Sequence, residues 1–336
     1  MPKAIILGCA GPSLSEAERR FFGQAEPYGF ILFKRNIVSP AQVLGLVQAL
    51  RESIGRADAP ILIDQEGGRV ARLGPPHWPS LPPARKIGQL AERNAGAGIA
   101  AARALGRVIG AMLAPLGIDV ACAPVADLLL PEAHGVIGDR AFSSDPKLVG
   151  ALAMALASGL RDAGVTPIVK HIPGHGRATA DSHLDLPRIA TAAAALEASD
   201  FAAFKTAASI PWAMVAHCVY EAYDAAYPAS ISASTIGRAI RSAIDYQGVL
   251  IADDIGMKAL SESVAENAMA TLAAGCDLTL HCSGDLEEMQ IIAPVVASLT
   301  EAARQRLESA GAWMRRDRAD FDPIAERALL DELSSS

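Results

Sequence analysis

Short apolar runs rich in β-branched residues alternate along the chain with longer amphipathic stretches rich in Ala and Leu. Eight of these runs predict strands: 4–9, 29–34, 60–64, 119–125, 166–171, 211–218, 248–253 and 277–282. Each is apolar almost without interruption, the pattern of a strand covered on both faces, as in a parallel sheet. The stretches between them read as helices with recognisable ends. Ser13-x-x-Glu16 and Ser263-x-x-Glu266 fit capping boxes, in which hydroxyl and carboxylate satisfy free backbone donors. Ser39-Pro40 and Asp145-Pro146 each set a cap before a proline at the first helical position. Gly164 and Gly275 mark helix ends just ahead of strands.

Eight strand–helix units in 336 residues predict an α/β fold, a single-domain (β/α)8 TIM-like barrel. The barrel is assigned residues 1–310, and 311–336 a peripheral helix with a frayed Ser-rich tail. No Gly-x-Gly-x-x-Gly follows the first strand and no phosphate loop is present, so both nucleotide fingerprints fail.

Composition narrows the partners. A net charge of −7 gives nothing to neutralise many phosphates, and 5% aromatics make no base-stacking platform. Nucleic acid is therefore excluded. The five cysteines form no Cys-x-x-Cys pair, which excludes a zinc ribbon and predicts buried thiols in a reducing compartment. No apolar run approaches the roughly 18 residues that span a bilayer. The AIILGC run after Lys3 is shorter than the roughly 7–15 residues of a signal core and reads better as a first strand. The expectation is a cytoplasmic protein with no membrane partner.

A barrel presents its chemistry at the C-terminal ends of its strands. Those ends carry Asp64, Asp127, Lys170-His171, His217, Asp253-Asp254 and His281. The densest cluster is Lys170-His171-Ile172-Pro173-Gly174-His175-Gly176, continuing to Asp181-Ser182-His183. Its proline and glycines make a helix improbable, so the four-residue spacing of His171 and His175 is not the helical zinc motif. A loop wrapping a metal through these histidines stays open, as does a purely bracing role, favoured for His175 in its tight turn. Asp181 beside His183 suits proton transfer, because a carboxylate orients an imidazole and raises its basicity. Asp253 ends an apolar strand, where a carboxylate is held rigidly enough to attack an electrophilic carbon. Adjacent acids on a strand point to opposite sides, so one of Asp253 and Asp254 is expected in the site and the other at the following turn. After the third strand, the Gly67-Gly68 turn brings acids and arginines close together, and the plain alternative to a site role is that Glu66 and Arg69 pair with each other and hold the loop.

Taken together the motifs resemble family 3 glycoside hydrolases, in particular the single-domain bacterial β-N-acetylglucosaminidases of peptidoglycan recycling. The segments that carry the resemblance are ILFKRN (31–36), IDQEGGRVAR (63–72), APVAD (123–127), IGDRAF (137–142), KHIPGHG (170–176), DSH (181–183), AH (216–217) and ADDIGM (252–257). The resemblance implies retaining hydrolysis of a terminal β-linked N-acetylglucosamine from muropeptide fragments, by a monomer without cofactor or metal. It implies Asp253 as nucleophile, His183 as general acid/base and Asp181 as its polarising partner. Asp64, Arg72, Arg140, Lys170 and His171 match positions that hold the sugar, as donors and acceptors suited to hydroxyls. Ala252 stands where the family usually has Ser, Ile172 where it has Phe, and Ile255 where it has Leu. Two other readings are carried beside this one. A metal-dependent barrel hydrolase would use His171, His175 and His183, and a catalytically silent barrel would bind sugar without turnover.

Overall fold

The computed structural model describes residues 1–131, 135–178, 185–315 and 319–335. Among them eight strands close a parallel barrel: β1 Lys3–Leu7, β2 Pro27–Leu32, β3 Ile61–Ile63, β4 Val120–Ala121, β5 Thr166–Ile172, β6 Trp212–Val215, β7 Val249–Asp254 and β8 Leu278–His281. Neighbours in sequence are neighbours in space, and β8 closes onto β1 with Leu7 opposite His281. Every predicted strand is present, and the residues of β3, β4, β6 and β8 are all buried, as continuous apolar runs require.

The fourth strand is much shorter than the 119–125 expected. Pro124 lies in that run and has no N–H to give, so the ladder breaks there. Pairing continues irregularly beyond it, with Lys170 N–H on the Pro124 carbonyl and Ala126 N–H on that of Lys170. The first capping box is also shifted by two residues. Ser15 caps the helix Glu16–Ala25 with Glu18, rather than Ser13 with Glu16. The buried Glu18 carboxylate also accepts from the Ala10 N–H (2.9 Å), a contact that fixes this frame. The Ser263–Glu266 box and the Ser39 and Asp145 caps stand where the pattern placed them.

One expectation about apolar length needs correcting. The helix Ala95–Leu113, with its turn to Leu116, is long and apolar enough to cross a bilayer. In the fold it packs between the helices Pro146–Asp162 and Pro323–Ser335. Its Arg103 and Arg107 both reach Asp162, whose side chain is fully buried and also accepts from the Ala319 N–H. Arg107 pairs in turn with Glu326 on the last helix, where Leu330 is buried. Residue 310, the expected barrel boundary, lies inside the helix Glu301–Met314.

Candidate active site

The C-terminal ends of the strands surround a cleft of about 360 Å³, the side on which barrel enzymes carry their sites. Its first wall grows from β3. Directly after Asp64, Gln65–Gly67 pairs antiparallel with Val70–Ala71 in a tight hairpin. Gly67 and Gly68 take positive φ, and a Cβ on Gly67 would sit 2.4 Å from the Pro82 carbonyl oxygen. The buried Gln65 amide closes the hairpin, accepting from Arg72 N–H and Leu73 N–H and donating to the Leu73 carbonyl. The turn thereby returns Arg72 to Asp64, with Nη2 to Oδ2 at 2.9 Å.

The second wall comes from β5, where register against β6 shifts between Lys170 and Ile172. Strand alternation is lost there, and the consecutive residues Lys170 and His171 both line the cleft. Lys170 Nζ lies 2.8 Å from Asp64 Oδ1 and 2.6 Å from Glu66 Oε1. Arg140 grips Glu66 with two parallel hydrogen bonds of 2.9 Å and approaches His171 Nε2 at 3.4 Å. On the far side of the ring, Asp127 accepts from His171 Nδ1 at 2.7 Å and from the His171 and His175 backbone N–H groups. The result is a continuous row from Arg72 through Asp64, Lys170, Glu66, Arg140 and His171 to Asp127.

Burial alone would raise the carboxyls of this row, but their cationic neighbours prevail. Lys170 and Arg72 hold Asp64 below the usual carboxylate range, and Lys170 and Arg140 do the same for Glu66. Burial pulls Lys170 down, yet Asp64 and Glu66 raise it above its ordinary value. Burial also lowers His175, with the neighbouring His171 charge adding to it, from 6.5 to about 4. His175 is thus neutral near pH 7.

The third wall is the end of β7. Asp253 accepts from the Asp254 N–H through Oδ1 at 2.9 Å and makes no ion pair among the described residues. Burial works against its charge, while His171, His217 and that N–H keep its carboxyl below the ordinary value. Asp254 differs: burial raises it, and its Oδ1 accepts from Gly256 N–H and Cys282 N–H, each at 3.1 Å. It caps the following turn, as expected for one of the two acids, although both line the cleft. The buried His217 fixes the backbone here, donating from Nε2 to the Asp254 carbonyl (2.9 Å) with Nδ1 on Ser230 Oγ (2.6 Å). An ionised carboxylate without an ion-pair partner among the described residues, facing a row of alternating donors and acceptors, suits attack on an electrophilic carbon of a polyhydroxylated ligand.

Residues 12–312 match the glycosyl hydrolase family 3 N-terminal domain. The chain belongs to glycosyl hydrolase family 3. A beta-hexosaminidase from Alkalilimnicola ehrlichii is 38% identical over 283 residues, 83% of this chain and 80% of the relative. The structure of NagZ from Neisseria gonorrhoeae in complex with N-trifluoroacetyl-D-glucosamine superposes with a TM-score of 0.87 at 30% identity, covering 100% of this chain and 99% of that one. The same Neisseria protein in complex with zinc ion gives 0.85 at 28% identity, covering 99% of this chain and 98% of the other. The family 3 assignment makes the chain a glycoside hydrolase of β-hexosaminidase type.

Of the residues that the sequence singles out, Asp64, Arg72, Arg140, Lys170, His171 and Asp253 all line this one cleft of the family 3 barrel. Asp181 and His183 lie outside the described residues. His171 and His175 have ring centroids 5.5 Å apart, and no group of three metal-binding side chains occurs among the described residues. Ala252, Ile172 and Ile255, the departures from the family pattern, are fully buried and do not line the cleft. The alternative pairing of Glu66 with Arg69 does not form. Arg69 pairs with Asp139 at the rim, leaving Glu66 to Lys170 and Arg140 inside. The resemblance assigns no role to Glu66 or Asp127, yet both belong to the row. Period-two alternation from Asp64 carried a signal for Glu66, since i and i+2 share a face.

Proposed function

We propose that this family 3 hydrolase removes terminal β-linked N-acetylglucosamine from cell-wall muropeptide fragments with retention at the anomeric carbon. The observation that carries the reading is Asp253, ionised but unpaired among the described residues, beside cations that are already neutralised. The N-acylglucosamine bound by the Neisseria relative supports a 2-acylamino sugar as the leading ligand class.

In this reading Asp253 attacks the anomeric carbon while His183, oriented by Asp181, gives a proton to the departing glycosidic oxygen. His183 then takes a proton from water, which displaces Asp253 and restores the configuration. An imidazole here replaces the second carboxyl of the common retaining pair. Asp64, Arg72, Arg140, Lys170 and His171 hold the sugar, and Asp127 fixes the His171 ring. The aglycone is a peptide-bearing acidic sugar, and the working form is a cytoplasmic monomer.

The zinc complex of the Neisseria relative favours one second reading, a metal at the histidines. Against it stands the Arg140 guanidinium 3.4 Å from His171 Nε2, a cation where the metal would bind. Release of p-nitrophenol from its β-N-acetylglucosaminide, with and without EDTA, separates the two. The covalent reading expects EDTA-resistant release that Asp253→Ala abolishes. Activity lost to EDTA and restored by zinc would replace it with the metal reading.

A further inference from the structure

Arginine and lysine side chains enter the cleft at four positions, and three of them meet carboxylates. Arg72 pairs with Asp64, Arg140 with Glu66, and Lys170 with both acids. Arg35 alone has no carboxylate partner among the described residues. It lies just beyond β2, exposed at the cleft edge, and is nevertheless held in place. Its Nε donates to the Cys9 carbonyl at 3.0 Å, and Nη2 donates to that of Cys282. Gly8 leaves room for this, since a Cβ there would stand 3.0 Å from Nη2. The guanidinium also packs on Phe33, 5.0 Å from the ring centroid.

The same ring carries Arg72, at 5.1 Å. Phe33 therefore links a neutralised guanidinium, the one on Asp64, to one that no described carboxylate compensates. Lys34, also exposed, extends toward the Arg72 carbonyl and adds a second cation on the same turn. A fixed fork with free donors, an adjoining ammonium and a ring for a flat or apolar body are the elements of a carboxylate site.

We propose that Arg35, with Phe33 and Lys34, forms an aglycone subsite that selects leaving groups bearing a carboxylate. The proposal rests on the hydrolase reading above, in which the sugar itself lies against Asp64 and Arg72. A leaving group next to that sugar then faces Phe33 and Arg35.

The test compares 3-carboxyumbelliferyl and 4-methylumbelliferyl N-acetyl-β-D-glucosaminides on wild type, Arg35→Gln and Arg35→Lys. Wild type is expected to favour the anionic glycoside. Arg35→Gln should lower the anionic-to-neutral ratio of kcat/KM roughly tenfold, the scale of one charge-assisted contact, through KM. Arg35→Lys should recover part of the ratio. A wild-type ratio near one, or a ratio that Arg35→Gln leaves unchanged, overturns the subsite. So does an equal fall on both glycosides, the result of a residue that only ties strand ends together. If wild type cleaves neither glycoside, the hydrolase reading fails by itself. Calorimetric titration of both glycosides into wild type and Arg35→Gln then still decides the subsite.

Discussion

The β3–β5 wall and the β7 edge face each other across one cleft, yet they treat charge in opposite ways. Along β3 and β5 each of Asp64 and Glu66 is matched by two cations, with Lys170 only 3% exposed between them. At β7 two adjacent acids share no cation at hydrogen-bond distance among the described residues, and their environments push them apart, Asp253 down and Asp254 up. A saturated wall binds a neutral, hydroxyl-rich ligand without changing its own charge. An unsaturated edge retains a carboxylate that can still form a bond. Divergent environments at neighbouring carboxyls are how one scaffold assigns them different roles.

The comparison breaks most sharply at Asp253. If Asp253 is the nucleophile as proposed, Asp253→Ala should lower kcat by on the order of 10⁶-fold, with little change in the urea midpoint. A comparable loss of folding stability would show that the edge is structural and not reactive.

The opposite result is expected across the cleft. Lys170→Met leaves Asp64 and Glu66 without their shared cation and should cost about 3–5 kcal/mol of stability by urea unfolding, besides weakening sugar binding. An unchanged midpoint would mean that Arg72 and Arg140 suffice to hold both acids.

Acid pH separates the histidine layer from the carboxylates. His175 titrates lower in the folded protein than the ordinary 6.5, so the unfolded chain binds the extra proton first. Stability should therefore fall as pH drops from 6.5 to about 4, with a slope of at most about 1.4 kcal/mol per pH unit from this residue. His281, lowered by burial against its acidic neighbours, acts in the same direction. His175→Asn should flatten the slope in thermal melts across that window. Asp64, Glu66 and Asp127 have depressed folded values, so their contribution is complete above the ordinary carboxylate range and is lost only below about pH 4.

The smallest effect is expected one residue from the wall. Asp139 pairs with Arg69 at 2.9 Å, but both side chains are nearly half exposed. Asp139→Asn should cost less than about 1 kcal/mol by the same urea titration, whereas its neighbour Arg140 belongs to the buried row. Equal costs at both positions would undo the distinction between wall and rim.

Much of this architecture was legible in the chain, because an apolar run and its punctuation are local properties. The eight strands follow from continuous burial, and Asp253 follows from its place at a strand end. What escaped depended on relations across the fold. Ser13 and Ser15 both satisfy the capping-box spacing, and only the Ala10 contact of Glu18 chooses between them. Glu66 had a plausible local partner in Arg69, but the hairpin turns it toward Lys170 and Arg140 from other units. Asp127 looked like one strand-end acid among several, and its importance lies in the three donors it receives from the β5 loop.

The buried Asp162 hub has a consequence for the order in which the protein is made. The helix Ala95–Leu113, apolar enough to attract a membrane, leaves the ribosome about 200 residues ahead of the helix Pro323–Ser335 that covers it. At about 5–20 residues per second that interval is on the order of ten to forty seconds. The helix Pro146–Asp162 follows within about 50 residues and can cover one side, but the side that Pro323–Ser335 packs on waits for that later helix. Arg103 and Arg107 give the helix two charges that oppose burial in lipid, first received by Asp162 and then, for Arg107, by Glu326.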